Sequence, residues 1–201
     1  KALEGKKYGT WNDPVELAMI KSLVEKQGGD YNKIELVPNS DSNSITPLEN
    51  GVFDAAWIYY AWDGKLAESM NLETNFFYLR DFDKKLDYYS PVIIANNDYL
   101  KNNKEEAQKV LRAIKKGYVY AIEHPEEAAD ILIKNAPELK EKRDFVVASQ
   151  KYISQQYASN KEHWGEFDAE RWNAFYRWVN ENKIIEKPLA DNTGFSNDYI
   201  K

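Results

Sequence analysis

The first third of the chain alternates short apolar runs with segments of helical spacing. Leu17, Ile20 and Leu23 recur on one helical face, and Asp13 and Pro14 suit the N-cap and the first residue of that helix. Further helices are predicted over 45–50 and 61–70. The predicted strands are one that ends near Gly9 and four others, at 34–37, 52–58, 75–79 and 88–95.

After the last of these strands the pattern becomes helical. Ala107, Val110, Leu111 and Ile114 share one face of a helix predicted over 103–123, and Pro125 begins the next one. Two more helices are predicted over about 144–158 and 168–182. The fourth carries Trp and Phe residues that we expect to pack in a core.

The order of these elements predicts an α/β fold with a parallel or mixed sheet. We divide the chain into an α/β part at 1–87 and a part at 88–201 that holds one strand and the helices. A single strand is too few for a sheet. The partners of strand 88–95 are therefore expected from sequence upstream or from another chain.

Composition narrows the class of partner. The net charge is −6 and the pI is near 5.1, which disfavours nucleic acid because phosphate binding needs clustered Lys and Arg. The chain contains no Cys, so disulfides and thiolate metal sites are excluded. His124 and His163 lack metal-ligand spacing, and no metal or cofactor is expected. No apolar run is long enough to span a membrane.

The densest chemical cluster lies at 54–64, where a predicted strand leads into a helix. Tyr59, Tyr60 and Trp62 offer aromatic faces to a planar ligand, and the Asp63 carboxylate suits an amino group or a ring N–H. Ligands of open α/β sheets bind beyond the carboxyl ends of strands, which is where this cluster falls.

Two smaller clusters occupy similar positions. Trp11 and Asn12 follow the first strand and open a helix, where we expect free backbone N–H groups to suit a ligand. The segment 88–90 lies at the boundary between the two parts, and Tyr89 is its candidate ligand contact. No nucleophile elbow, P-loop or dinucleotide-binding glycine pattern is present.

Several segments together resemble the solute-binding proteins of ABC importers. The opening Glu4-Gly5-Lys6-Lys7-Tyr8-Gly9, the strand Gly51-Val52-Phe53-Asp54-Ala55-Ala56 and the closing Phe195-Ser196-Asn197-Asp198-Tyr199 are similar to theirs in order and spacing. Trp62-Asp63-Gly64 resembles the Trp-Glu-Gly of the subgroup that binds thiamine pyrimidine precursors, with Asp in place of Glu. That subgroup is related to nitrate, sulfonate and taurine binders.

The resemblance implies a periplasmic-binding-protein-like fold of two α/β lobes. One lobe would be complete here, and the other would be represented by its helical C-terminal part, without the first third of the usual chain. It also implies a small heteroaromatic ligand in an aromatic-lined cleft between the lobes, an ABC permease as partner, and an extracytoplasmic location, either periplasmic or anchored at the cell surface. On this interpretation the protein is not an enzyme.

Three alternatives remain at this point. A thiamine pyrimidine synthase has a similar fold but uses a cysteine-rich iron motif and a histidine, which this chain does not match. A sulfonate or nitrate carrier would favour Arg, Ser and helix N-termini over aromatics and Asp63. An interaction fragment whose aromatics form an interface would instead give a stable dimer in light scattering.

Overall fold

The computed structural model describes residues 1–39 and 43–200. It divides into two compact units. The first comprises Lys1–Tyr88 and Ala169–Thr193, and the second comprises Tyr89–Asp168 and Gly194–Lys201.

The first unit is built on a three-stranded parallel sheet. Its strands are β1 (Lys7–Thr10), β2 (Glu35–Pro38) and β3 (Ala55–Ala56), in the order β2-β1-β3. Tyr8 of β1 pairs with Leu36 of β2 and Ala55 of β3. Strand β1 needs a glycine at position 9, because a Cβ on Gly9 would lie 2.6 Å from the Phe53 ring. The α/β class is therefore confirmed.

Helix α1 (Pro14–Lys26) covers this sheet and follows the local signals in the sequence. The Asp13 side chain accepts hydrogen bonds from the N–H groups of Val15 and Glu16, and Pro14 is the first helical residue. Its apolar face supplies both hydrophobic clusters of the unit. Ile20 and Val24 pack with Tyr8 and Ile34, whereas Met19 and Leu23 pack in a second cluster.

The remaining helices of the first unit are short, apart from the last. They are α2 (Ile45–Glu49), α3 (Lys65–Ser69), α4 (Leu79–Phe82) and α9 (Ala169–Glu181). Trp178 of α9 is 2% exposed and lies in the second cluster with Leu86. The Arg171 guanidinium also bonds the carbonyl and carboxylate of Asp87. The sequence placed α9 with 88–201, but these contacts group it with the sheet.

The second unit is helical. It contains α5 (Asn97–Asn102), α6 (Lys104–Glu123), α7 (Pro125–Asn135) and α8 (Arg143–Ser154), and the longer three were predicted within a few residues. Tyr118 packs edge-on against Tyr157 and contacts Trp164, with ring centroids 4.7 Å apart in both pairs. Trp164 and Phe145 are buried, so this unit has an apolar core of its own.

Two predicted strands are not strands in the structure. Residues 75–78 form no regular element, and α4 begins at Leu79. Residues 88–95 are also irregular, and Ile94 is 87% exposed. An apolar run becomes a strand only where a neighbouring strand accepts its hydrogen bonds, and the described residues offer none there. The predicted strand at 52–58 is likewise reduced to β3.

No helix among residues 1–39 and 43–200 is long and apolar enough to cross a membrane.

Replacing Trp178 by alanine tests whether α9 is part of the first unit's core. The lost ring packs against Phe175 with centroids 5.9 Å apart, and its removal should lower the free energy of unfolding by about 3–5 kcal/mol. Urea denaturation measures the change. The control Val52→Ala, at a half-exposed position, should stay within about 0.5 kcal/mol of the wild type. Equal effects of the two variants would contradict this packing.

Candidate ligand-binding site

Two exposed aromatic rings face each other at the carboxyl edge of the sheet. Trp11 follows β1 and is 42% exposed, and Tyr59 follows β3 and is 61% exposed. Their centroids are 6.2 Å apart and their planes differ by 17°. The parallel pairing of β1 with β3 brings both residues to this edge. We call Trp11 and Tyr59 the aromatic pair.

A buried carboxylate lies within hydrogen-bonding distance of the Trp11 backbone. Glu16, in the first turn of α1, is 5% exposed. Its Oε1 accepts a hydrogen bond from the Tyr8 hydroxyl at 2.9 Å, and its Oε2 accepts one from the Thr10 hydroxyl at 2.9 Å. The backbone N–H of Trp11 also donates to Oε2, at 3.3 Å. The side chain therefore joins β1, α1 and the loop between them.

Burial and the neighbouring Glu16 raise the pKa of Tyr8 far above its ordinary value of 10.0. The tyrosine therefore remains a hydrogen-bond donor to this carboxylate at physiological pH. Sequence reasoning missed Glu16. Glutamate in a first helical turn is usually exposed and interacts with the helix dipole, so only the fold reveals that it is buried.

The loop between Trp11 and α1 uses its own polar groups. Asn12 has a φ of 62°, a left-handed conformation that asparagine tolerates better than most residues. Its N–H donates to the Thr10 hydroxyl at 2.8 Å, and the N–H groups of Val15 and Glu16 donate to Asp13. The sequence predicted free backbone N–H groups at 9–13, and those of Trp11 and Asn12 are instead bonded within the protein.

Asp63 holds the backbone of Tyr59, the second residue of the aromatic pair. It lies in a π-helical turn, Tyr60–Gly64, and is 8% exposed. Its Oδ2 accepts a hydrogen bond from the Tyr59 N–H at 3.0 Å. Burial raises the pKa of this carboxyl above its ordinary value, while the hydrogen bond to Tyr59 opposes the rise. Direct pairing of Asp63 with a ligand stays a prediction.

The structure separates the roles of the other two aromatics in this turn. The Tyr60 hydroxyl donates to Glu68, which raises the pKa of Tyr60 to about 12. Its ring contacts Phe76 at 4.2 Å between centroids, so Tyr60 is held within a cluster of side chains. Trp62 is 38% exposed, and a ligand contact by Trp62 stays a prediction.

The two tyrosines at the unit boundary lie in different units. Tyr89 belongs to the second unit, where its hydroxyl accepts a hydrogen bond from the Asp168 N–H at 2.8 Å. Tyr88 belongs to the first unit, and its ring stacks on Phe175 with centroids 4.4 Å apart. Burial raises the pKa of Tyr88, and nearby Tyr59 and Asp13 add to the rise. A ligand contact by Tyr89 stays a prediction.

No described residues form a group of three or more His, Cys, Asp or Glu side chains that would hold a metal ion. His163 pairs with Glu166, and the His124 ring contacts Tyr120. The aromatic pair is suited to stacking a planar molecule. The backbone N–H groups of Trp11 and Tyr59 are bonded within the protein.

Comparison with known proteins gives two findings. A family profile described as NMT1/THI5 like matches residues 1–128. A protein of Halalkalibacterium halodurans named formylaminopyrimidine-binding protein is 23% identical over 185 residues, which are 91% of this chain and 56% of the relative. The chain thus spans little more than half of the relative's length. Both findings support the resemblance to binders of thiamine pyrimidine precursors.

The raised pKa of Asp63 predicts how stability changes with pH. The unfolded chain ionises this carboxyl near its ordinary value of 3.8, whereas the folded protein does so at a higher pH. Stability is therefore lost as pH rises from 3.8 to the folded pKa and stays lower above it. Asp63→Asn, which remains neutral, should gain stability relative to the wild type across that interval.

Urea denaturation from about pH 3 to pH 7 measures this difference. Asp54→Asn is a control of opposite sign, because the hydrogen bond from the Lys7 N–H lowers the pKa of Asp54. Its stability relative to the wild type should fall as pH rises. The same trend in both variants would contradict the assignment of a raised pKa to Asp63.

Proposed function

The chain belongs to the NMT1/THI5-like family, and on that premise we propose that it binds a small planar nitrogen heterocycle, such as a thiamine pyrimidine precursor, on the aromatic pair. The observation that carries the proposal is the near-parallel, solvent-exposed stacking of Trp11 and Tyr59 at the carboxyl edge of the sheet. The name of the relative, a formylaminopyrimidine-binding protein, agrees with this ligand class.

The spacing of the two rings supports a sandwich. Their centroids are 6.2 Å apart. A flat ring inserted between them at ordinary carbon–carbon contact, about 3.5–4.0 Å on each side, needs roughly 7 Å. A small outward movement of one exposed ring is therefore enough to admit a pyrimidine.

The polar groups around the pair favour a neutral or cationic ligand over an anion. An oxyanion needs free N–H donors or cationic side chains. Here the N–H groups of Asn12, Val15 and Glu16 are bonded within the loop and the helix cap. The nearby carboxylates Asp13 and Glu16 would repel a nitrate or sulfonate. The aminopyrimidine class is therefore preferred to the sulfonate class.

The wider role follows from the family rather than from these residues. We propose that the protein delivers its ligand to the permease of an ABC importer on the outer side of the cell membrane, either free in the periplasm or anchored at the surface. Tyr89 remains a proposed ligand contact.

A tryptophan-fluorescence titration with a hydroxymethyl aminopyrimidine tests the ligand class. We expect saturable quenching by the wild type, and weakening of at least about tenfold in Trp11→Ala and Tyr59→Ala, because each loses an aromatic stacking surface. Ligand binding by Trp11→Ala is measured by calorimetry, because removing the tryptophan alters the fluorescence itself. Taurine and nitrate should give no binding.

Phe77→Ala is the matched control, since Phe77 is a half-exposed aromatic of the same unit that packs edge-on against Phe82. It should bind like the wild type. Equal weakening by Phe77→Ala, or binding of taurine in place of the pyrimidine, would reject the aromatic pair as a heterocycle site.

A further inference from the structure

The backbones of the two residues of the aromatic pair are held in the same way. Each ring is carried by a residue whose backbone N–H donates to a carboxylate that is at most 8% exposed. Glu16 accepts from the Trp11 N–H and Asp63 accepts from the Tyr59 N–H. Burying a carboxylate is costly unless hydrogen bonds compensate it, and here each carboxylate accepts a backbone N–H from one residue of the aromatic pair.

Glu16 holds the backbone of Trp11 in place through a hydrogen bond. Its Oε2 receives both the Thr10 hydroxyl and the Trp11 N–H, while Oε1 receives the Tyr8 hydroxyl. Tyr8 and Thr10 belong to the central strand, so Glu16 links the backbone of Trp11 to that strand. The Trp11 side chain itself remains free to meet a ligand.

Asp63 fixes Tyr59 in a similar way. The π-helical turn folds the Asp63 carboxylate back onto the Tyr59 N–H, four residues earlier in the chain. The backbone N–H of Asp63 in turn donates to the Tyr59 carbonyl at 2.9 Å. These two reciprocal bonds leave the Tyr59 ring projecting from a closed turn.

We propose that Glu16 and Asp63 are positioning residues that set the spacing and tilt of the Trp11–Tyr59 pair, and that neither needs its charge to contact the ligand. This inference rests on the proposed function of the pair as a stacking site. It assigns to Asp63 a role different from pairing with an amino group, and it gives Glu16 a role that the sequence did not suggest.

The mechanism predicts that an amide rescues what alanine destroys. Asn at 63 keeps an oxygen for the Tyr59 N–H. Gln at 16 keeps an oxygen for Trp11 and Thr10, and its NH₂ group donates to the Tyr8 hydroxyl, which accepts as well as donates. Alanine removes the acceptor in both cases. If the carboxylate instead bound the ligand through its charge, the amide and alanine variants would lose ligand binding equally.

The first experiment measures the dissociation constant of a hydroxymethyl aminopyrimidine for six proteins by calorimetry: the wild type, Glu16→Gln, Glu16→Ala, Asp63→Asn, Asp63→Ala and Asp54→Ala. We expect the alanine variants at 16 and 63 to bind at least about tenfold more weakly, and the amide variants to recover to within about threefold of the wild type. Asp54 also accepts from a backbone N–H, that of Lys7 at the opposite end of β1, so Asp54→Ala should bind like the wild type.

The second experiment reads the ring position without ligand. The ¹⁹F resonance of 5-fluorotryptophan at Trp11, assigned with Trp11→Phe, should keep its chemical shift in the amide variants and move or broaden in the alanine variants at 16 and 63. If Glu16→Ala does not fold, Glu16→Asp replaces it, because the shorter arm keeps the charge but no longer reaches the Trp11 N–H.

The outcomes separate this inference from the proposed function. Loss in Asp63→Asn as large as in Asp63→Ala would overturn the positioning role and assign the charge of Asp63 to the ligand. Unchanged binding and fluorine shifts in both alanine variants would overturn it for both residues. If the wild type binds no pyrimidine but the fluorine shifts follow the expected pattern, the proposed function fails and the positioning role stands.

Discussion

The central strand of the parallel sheet, β1, is the constraint on which the site depends. It pairs on one side with β2 and on the other with β3, and its close approach to Phe53 allows only glycine at position 9. Because all three strands run in the same direction, the segments that follow them emerge at one edge. Trp11 and Tyr59 meet there although 47 residues separate them along the chain.

Polar and aromatic groups at this edge of the sheet have different roles. The carboxylates Glu16 and Asp63 face inward and satisfy backbone N–H groups, whereas the aromatic pair faces solvent. Interior hydrogen bonds strengthen in the low local dielectric, so the backbone beneath the rings is held more firmly than an ordinary loop. A stacking site gains from such preorganisation because less ordering remains to be done when the ligand binds.

Local signals in the sequence predicted the elements that depend on local physics. Asp13 and Pro14 located the start of α1, and the helical spacing after Asn103 located α6. The failures arose where the answer depends on distant partners. The apolar run at 88–95 resembled a strand, yet a strand requires a neighbour. Trp178 was expected in a core, but its spacing along α9 gave no sign of which unit it would join.

The candidate site shows the same limit. Trp11, Tyr59 and Trp62 were chosen because they follow predicted strands, where open α/β sheets bind ligands. Glu16 was missed, since Asp13-Pro14-Val15-Glu16 reads as an ordinary helix start with an acidic first turn. Its burial depends on Tyr8 and Thr10 pointing towards the helix. Asp63 was chosen for its charge, and only the π-helical turn reveals that the carboxylate is directed at the backbone of Tyr59.

The central claim is that a planar heterocycle occupies the space between the two rings, and a crystal structure with a bound aminopyrimidine tests it most directly. We expect ligand density between Trp11 and Tyr59, with their centroids separated to roughly 7 Å and the hydrogen bonds of Glu16 and Asp63 retained. A ligand bound elsewhere, with the two rings still 6.2 Å apart, would contradict it.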